Sequence, residues 1–178
     1  MMRNHLRKIP VVGILLALLI ASCSQVQTGD ARAGKPAPDL SLKTVDGGQF
    51  KLSDLKGSVV VLDFWATWCP PCRESLPNLS TVSSNQDFAK RGLKVVAIDC
   101  GESLQAARDY IRNNHLALTV ALDSDGSAQH AYQVEGIPNT IVVGRDGTVQ
   151  HTIVGFGGKE TEDELNRAIE KALAAPAK

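Results

Sequence analysis

Residues 58–66 read SVVVLDFWA, a largely apolar run of strand length, and after two further residues the chain continues Cys69-Pro70-Pro71-Cys72. A run without polar alternation belongs to a strand covered on both faces, at the centre of a sheet with layers packed above and below. Proline is tolerated in the first turn of a helix, where its missing N–H is not needed, so the Pro-Pro pair predicts a helix opening at residue 70. Strand, tight connection and helix in this order make an α/β fold the expectation and exclude an all-helical bundle. Asp63 is the exception within the run, since a lone carboxylate in an apolar strand is costly to bury.

The remaining chain alternates in the same way. Residues 70 to about 91 predict one helix, ended by Gly92, and residues 93–99 (LKVVAID) a second buried strand. Residues 103–114 predict a helix with Leu104, Ala107, Tyr110 and Ile111 on one face. A short strand over 118–122 and a short helix over 127–134 follow. Strands 140–143 and 148–154 flank Gly144-Arg145-Asp146-Gly147, whose Asp-Gly is a hairpin signal. A last helix over 159–174 carries Leu165, Ile169 and Leu173 at four-residue spacing. Upstream, Asp46-Gly47-Gly48 separates two short alternating segments, which predicts an N-terminal hairpin. The order implies a mixed sheet between helices.

The first 22 residues are a different kind of sequence. Arg3, Arg7 and Lys8 precede a small-and-apolar run over residues 11–21, shorter than the ~20 residues that span a bilayer. A basic start, a short apolar stretch and small residues beyond it read as a secretory signal. It ends in Ile20-Ala21-Ser22-Cys23, which resembles a bacterial lipobox, with cleavage before Cys23 and lipid on its sulfur. The expected organisation is therefore a signal over 1–22, a polar lipidated tether over 23–36 and one domain over 37–178, anchored to a membrane without spanning it. The chain has 19 basic and 19 acidic side chains, and three of the basic ones lie in the leader, so cleavage leaves the mature chain at −3. That is no footprint for nucleic acid.

Four cysteines are too few for a disulfide scaffold in 178 residues, so their placement matters more than their number. A C-x-x-C pair at a helix start can close a small disulfide ring. Its first thiol sits where free helical N–H groups favour an anion, and the thiolate is the reactive form. Cys69 is expected to be the attacking, more exposed thiol and Cys72 the buried resolving thiol. No metal is expected: structural zinc wants four ligands, a second C-x-x-C is absent, and His115, His130 and His151 lack ligand spacing.

The run from Val59 to Cys72 resembles the active-site strand and turn of the thioredoxin superfamily, and more narrowly the TlpA/ResA-like membrane-tethered thiol–disulfide oxidoreductases. Gly34-Lys35-Pro36-Ala37-Pro38, the Asp46-Gly47 turn and Leu52-Ser53-Asp54-Leu55-Lys56-Gly57 are similar to that branch's N-terminal extension. Residues 101–126 look like its strand–helix insertion. Gly136-Ile137-Pro138 resembles the loop carrying its cis-proline.

The resemblance implies a thioredoxin fold with an N-terminal hairpin extension, and a redox-active Cys69–Cys72 disulfide as the sole redox group, without a cofactor. It implies that Pro138 faces the cysteines, that Trp68, Pro70, Pro71 and Ile137 border the substrate groove, and that Pro77 kinks the helix. Thioredoxin has a buried aspartate at the place of Asp63 that relays a proton to and from the resolving thiol. The narrower branch commonly has asparagine there, and a glutamate where this chain has Ser75. Glu74 lies about 100° around the helix from that position and is no substitute. Asp63 is accordingly expected to take the acid–base role. Cys100, beside Gly101-Glu102-Ser103, is expected to be either an inert thiol or an auxiliary one near the C-x-x-C edge.

The function implied is reduction of disulfides in exported proteins such as apocytochrome c, by a monomer outside the cytoplasm. Its electrons would come from a DsbD- or CcdA-like membrane donor, with the periplasmic side implied in a Gram-negative cell. Oxidising or isomerising exchange is the alternative direction. A thiol peroxidase is a second alternative, although Asp63-Phe64-Trp65-Ala66-Thr67-Trp68 does not match the P-x-x-x-[TS]-x-x-C motif of peroxiredoxins. A copper or zinc carrier using the two thiolates is a third.

Overall fold

The computed structural model describes residues 32–176. The expected signal over 1–22, Cys23 and the tether up to residue 31 lie outside the described residues. Seven strands form one mixed sheet in the order β2-β1-β5-β4-β3-β6-β7. They are β1 (Ser41–Thr44), β2 (Gln49–Lys51), β3 (Val59–Trp65), β4 (Leu93–Asp99), β5 (Thr119–Leu122), β6 (Asn139–Val143) and β7 (Val149–Val154). β3, β4 and β5 run parallel, and β1, β2, β6 and β7 join antiparallel. The helices are α1 (Pro70–Ser84), α2 (Gln86–Lys90), α3 (Leu104–Asn113), α4 (Ser127–Ala131) and α5 (Lys159–Ala174). The expected α/β fold is what the chain adopts.

All seven residues of β3 are buried, because β3 is flanked by β4 and β6 and covered on both faces. Val59, Val61 and Trp65 point into a core built with Cys72, Leu76 and Leu79 of α1, Ile111 of α3 and Leu165 and Ile169 of α5. Val60, Leu62 and Phe64 point to the other face, against Tyr132, Leu40 and Phe50. Each such side chain contributes roughly 1.5–3 kcal/mol when fully buried.

The two faces are covered differently. Helices α1, α2, α3 and α5 cover the first. The second is covered by the short α4, a 3₁₀ turn over Leu52–Leu55 and a strap of chain leading into β1. The strap begins at the β6–β7 hairpin, where Gly34 N donates to Val149 O at 2.7 Å and Ala37 N to Gly147 O at 2.9 Å. It crosses over Tyr132, whose hydroxyl donates to Pro38 O at 2.7 Å.

Two expectations need correction. The single helix from 70 to about 91 is two, broken at Asn85. Asn85 has extended φ/ψ (−70°, 112°), closes α1 by donating its N–H to Val82 O, and opens α2 by accepting from Asp87 N and Phe88 N through its side chain. The local cap competes with helix continuation and wins. Leu104 begins α3 but stands exposed, so the buried face of that helix is Ala107 and Ile111 with Tyr110 half-buried. After α2 the chain turns at Gly92, whose φ of +91° few other residues adopt, and a Cβ there would press on the Arg145 guanidinium at 3.1 Å.

Candidate active site

Strand β3 and helix α1 meet at the cysteine pair. Cys69 is the N-cap of α1, with Pro70 and Pro71 in its first turn. Its Sγ accepts a hydrogen bond from Cys72 N at 3.2 Å, so a free N–H of the helix start is aimed at sulfur. Cys69 and Cys72 are joined in a disulfide with Cα atoms 5.3 Å apart. Both residues are buried, at 3% and 0% exposure, so Cys69 is the more exposed only narrowly. Helix dipole and N–H together stabilise a negative charge on Cys69 once the bond is opened.

Pro138 is buried, and the Ile137–Pro138 bond is cis. Cys69 Sγ lies 3.7 Å from the carbonyl oxygen of Ile137, within reach of a thiol proton when the sulfur is reduced. Trp68 is 65% exposed just before Cys69, whereas Trp65 and Phe64 are fully buried. Pro70 is exposed and Pro71 and Ile137 are half-buried, leaving an accessible rim around two sheltered sulfurs. Pro77 stands inside α1, where it has no N–H to give the carbonyl of Arg73.

Asp63 does not escape to solvent at an irregular position; it sits in regular β3, between Ala97 of β4 and Thr140 of β6. Its side chain shares the face of Val61 and Trp65, which is the face covered by α1. Burial pushes its carboxyl up to about 7, opposed by a 2.6 Å hydrogen bond from the Thr140 hydroxyl to Oδ1. Oδ2 is buried and has no partner. A group poised near neutrality can both accept and donate a proton.

The segment before Cys69 is pinned from a distance. Glu102 accepts from Thr67 N through Oε2 at 2.6 Å and from the Thr67 hydroxyl through Oε1 at 2.5 Å. Its own N–H donates to Asp99 Oδ1 at 3.0 Å. Burial, and then the neighbouring Glu102, hold the Asp99 carboxyl well above the usual range. Cys100 ends this edge as well, its N–H donating to Trp65 O at 2.9 Å. Its side chain, however, packs with the core on the opposite face of the sheet from Cys69 and Cys72. Burial, with the carboxylates of Asp99 and Asp123, pushes its thiol up to about 12. The two readings of Cys100 therefore meet a geometry that shares the edge and separates the faces.

Glu102, Thr140 and Glu162 are site neighbours that sequence reasoning passes over. Gly101-Glu102-Ser103 is recognisable as a turn, but nothing local links it to Thr67, 35 residues earlier. Thr140 could be found by asking which residue pairs with Asp63 on the next strand. Ser75 donates to Cys72 O at 3.0 Å, and Glu74 is exposed.

Residues 33–152 match the AhpC/TSA family. Thiol-disulfide oxidoreductase ResA of Bacillus subtilis is 32% identical over 149 residues, covering 80% of this chain and 82% of that protein. The crystal structure of a putative thiol:disulfide interchange protein DsbE from Chlorobium tepidum is 35% identical, with a TM-score of 0.74, over 80% of this chain and 98% of that one. A secreted Mycobacterium tuberculosis disulfide oxidoreductase homologous to E. coli DsbE is 26% identical, with a TM-score of 0.61, over 74% and 95%.

Proposed function

The chain belongs to the AhpC/TSA family and is a thiol–disulfide oxidoreductase of the ResA/DsbE type, and from that premise we propose that it reduces disulfides of exported proteins through a Cys69–Cys72 dithiol. The observation that carries the reading is a disulfide at the start of α1, its first sulfur capped by a helical N–H and 3.7 Å from the carbonyl oxygen of Ile137, which precedes cis-Pro138. In the reducing direction the Cys69 thiolate attacks one sulfur of the substrate disulfide, forming a mixed disulfide and releasing the other sulfur as thiolate. Cys72 then attacks Cys69. The Cys69–substrate bond breaks, two electrons have passed to the substrate, and Cys69–Cys72 is left oxidised. Asp63 takes the proton of Cys72 in this second step and is the general base of the cycle. Trp68, Pro70, Pro71 and Ile137 form the rim that receives substrate chain, and no cofactor is needed beyond the disulfide.

The leader supports a site of action outside the cytoplasm, on a membrane, through lipid on Cys23. There disulfides persist unless electrons are supplied, so a reductant requires a membrane thiol donor of the DsbD or CcdA kind. Apocytochrome c fits as substrate because its own C-x-x-C must be reduced. The protein acts as a monomer. Cys23→Ala is expected to abolish metabolic labelling by fatty acid, and unchanged labelling overturns the anchor.

Direction is tested by the potential of the Cys69–Cys72 couple. A value near thioredoxin's ~−270 mV supports reduction, and one near DsbA's ~−120 mV overturns it in favour of oxidation. Peroxide turnover by the reduced protein is expected to be negligible. Turnover at enzymatic rates would shift the reading to a peroxidase.

A further inference from the structure

The cysteines account for electron transfer but leave a buried carboxyl whose proton needs a way out. A small cleft of about 20 Å³ opens beside Asp63, between α1, the β6–β7 pair and α5. It is lined by Asp63, Ser75, Thr140, Thr161 and Glu162 among others, and it has room for about one water. Asp63, one of its lining residues, carries a buried Oδ2 with no hydrogen-bond partner. Asp63 and Glu162 are its titratable lining groups among the described residues. They differ in exposure: Asp63 is 2% exposed, while the Glu162 side chain is 29% exposed.

We propose that this cleft is the route by which Asp63 exchanges its proton with solvent, and that Glu162 of α5 is the relay carboxylate at its outer end. The proposal rests on the disulfide-exchange reading above and adds the path that the proton takes. When Cys72 Sγ attacks Cys69 Sγ, the Cys69–Cys72 bond forms and the Cys69–substrate bond breaks. The bonding electron pair leaves on the substrate sulfur, which takes a proton from solvent. The Cys72 proton passes to Asp63, then through a water in the cleft to Glu162, and from there to solvent. The sequence reverses on reduction.

The surroundings suit a relay between two carboxyls. The cysteine pair packs on the face of the sheet that Asp63 shares, and Cys100 after β4 feels the Asp63 carboxyl. Lys159, the cation near Glu162, lies 4.0 Å from it and also pairs with Asp163, so it does not hold Glu162 in a tight ion pair. Thr140 already spends its hydroxyl proton on Asp63 Oδ1, and Ser75 spends its own on Cys72 O. Glu162 is thus the cleft group able to take a proton and release it.

The test is stopped-flow oxidation of the reduced protein by a small aromatic disulfide, in H₂O and D₂O across pH. Wild type, Glu162→Gln, Glu162→Asp, Asp63→Asn and the double variant with Gln at 162 and Asn at 63 are compared. Glu162→Gln is expected to slow ring closure roughly three- to tenfold near neutrality and to enlarge the solvent isotope effect. Added formate is expected to restore most of the rate, Glu162→Asp to retain it, and Asp63→Asn to make the protein indifferent to residue 162. A wild-type profile for Glu162→Gln overturns the proposal. So does slowing without formate rescue, or equal slowing in the Asp63→Asn background, since both mark a structural role. Wild-type protein that fails to exchange disulfides at all brings down the exchange reading itself, and this proposal with it.

Discussion

Thr140 Oγ1 donates a 2.6 Å hydrogen bond to Asp63 Oδ1 across the antiparallel pairing of β6 with β3, while Oδ2 of the same carboxyl is left without a partner. The one bond offsets part of the burial cost and leaves the carboxyl raised to about 7. In the unfolded chain Asp63 ionises near 3.8, whereas in the folded protein it holds its proton to about 7. The folded state therefore binds more protons in that window, and stability is lost as pH rises through it. Asp63→Asn is expected to remove this loss, stabilising the protein above pH 7 by up to about 4 kcal/mol and leaving it little changed in acid. Urea denaturation at several pH values measures it, and equal stabilisation at all pH values contradicts it. The same variant is expected to change the pH profile of thiol exchange; an unchanged profile removes Asp63 from the acid–base role.

Thr140→Val takes away the donor that lowers the Asp63 carboxyl. The inflection assigned to Asp63 is expected to move further up in pH. Carboxyl-carbon NMR of Asp63 reads this directly, and a downward move contradicts it.

Glu102 grips Thr67 twice, at 2.6 and 2.5 Å, immediately before the exposed Trp68 and Cys69. Glu102→Ala leaves a backbone N–H and a hydroxyl without their charged acceptor, at a cost of about 2 kcal/mol. Glu102→Gln keeps one acceptor oxygen and is expected to recover part of it. Thermal denaturation of the oxidised forms gives the order wild type, Gln, Ala. Ala matching wild type would show that the contact adds nothing.

Cys100 shares an edge with the cysteine pair and points to the other face. With its thiol pushed up to about 12, it is expected to alkylate far more slowly than reduced Cys69 at pH 8. Cys100→Ser is expected to leave the exchange rate unchanged. Mass mapping of the oxidised protein should show only Cys69–Cys72, and a mixed disulfide through Cys100 overturns this.

Asn85 joins two helices by capping both. Asn85→Ala is expected to cost about 1 kcal/mol, while Asn85→Asp retains the acceptor and most of the stability. Denaturation midpoints distinguish this from a continuous helix, in which alanine would stabilise.

The parts of this molecule set by local pattern are legible in the amino-acid sequence. β3 and β4 declare themselves by continuous β-branched runs, α5 by leucine and isoleucine four apart, and the β6–β7 turn by its Asp-Gly. The break at Asn85 is hidden because no glycine or proline interrupts residues 78–91, so nothing obvious stops the helix before Gly92. Only the cap geometry, a balance of one side chain against one further turn of backbone bonds, decides the matter. The cysteine pair is equally plain, since a helix start and two thiols three residues apart are one local unit. Its supports are not. Glu102 reaches Thr67 over 35 residues, and Glu162 reaches the cleft of Asp63 over 99, and such meetings follow from strand order and helix placement. Cys100 illustrates the same limit: strand direction brings it to the right edge, and only the pleat says which face it takes.

The strap at residues 34–37 has a mechanical meaning. It lies antiparallel along the β6–β7 hairpin through three backbone hydrogen bonds and the Pro36–Thr148 bridge. That end of the sheet is where Val143 pairs with Val60, the far end of β3 from Cys69. Tension reaching the domain through the chain before residue 34 is borne first by those bonds at an edge hairpin. The load enters at the Val60 end of β3, opposite the end that leads to Cys69 and α1. A leash pulled taut would strain the rear of the domain and leave the sulfur-bearing end free to swivel and dock.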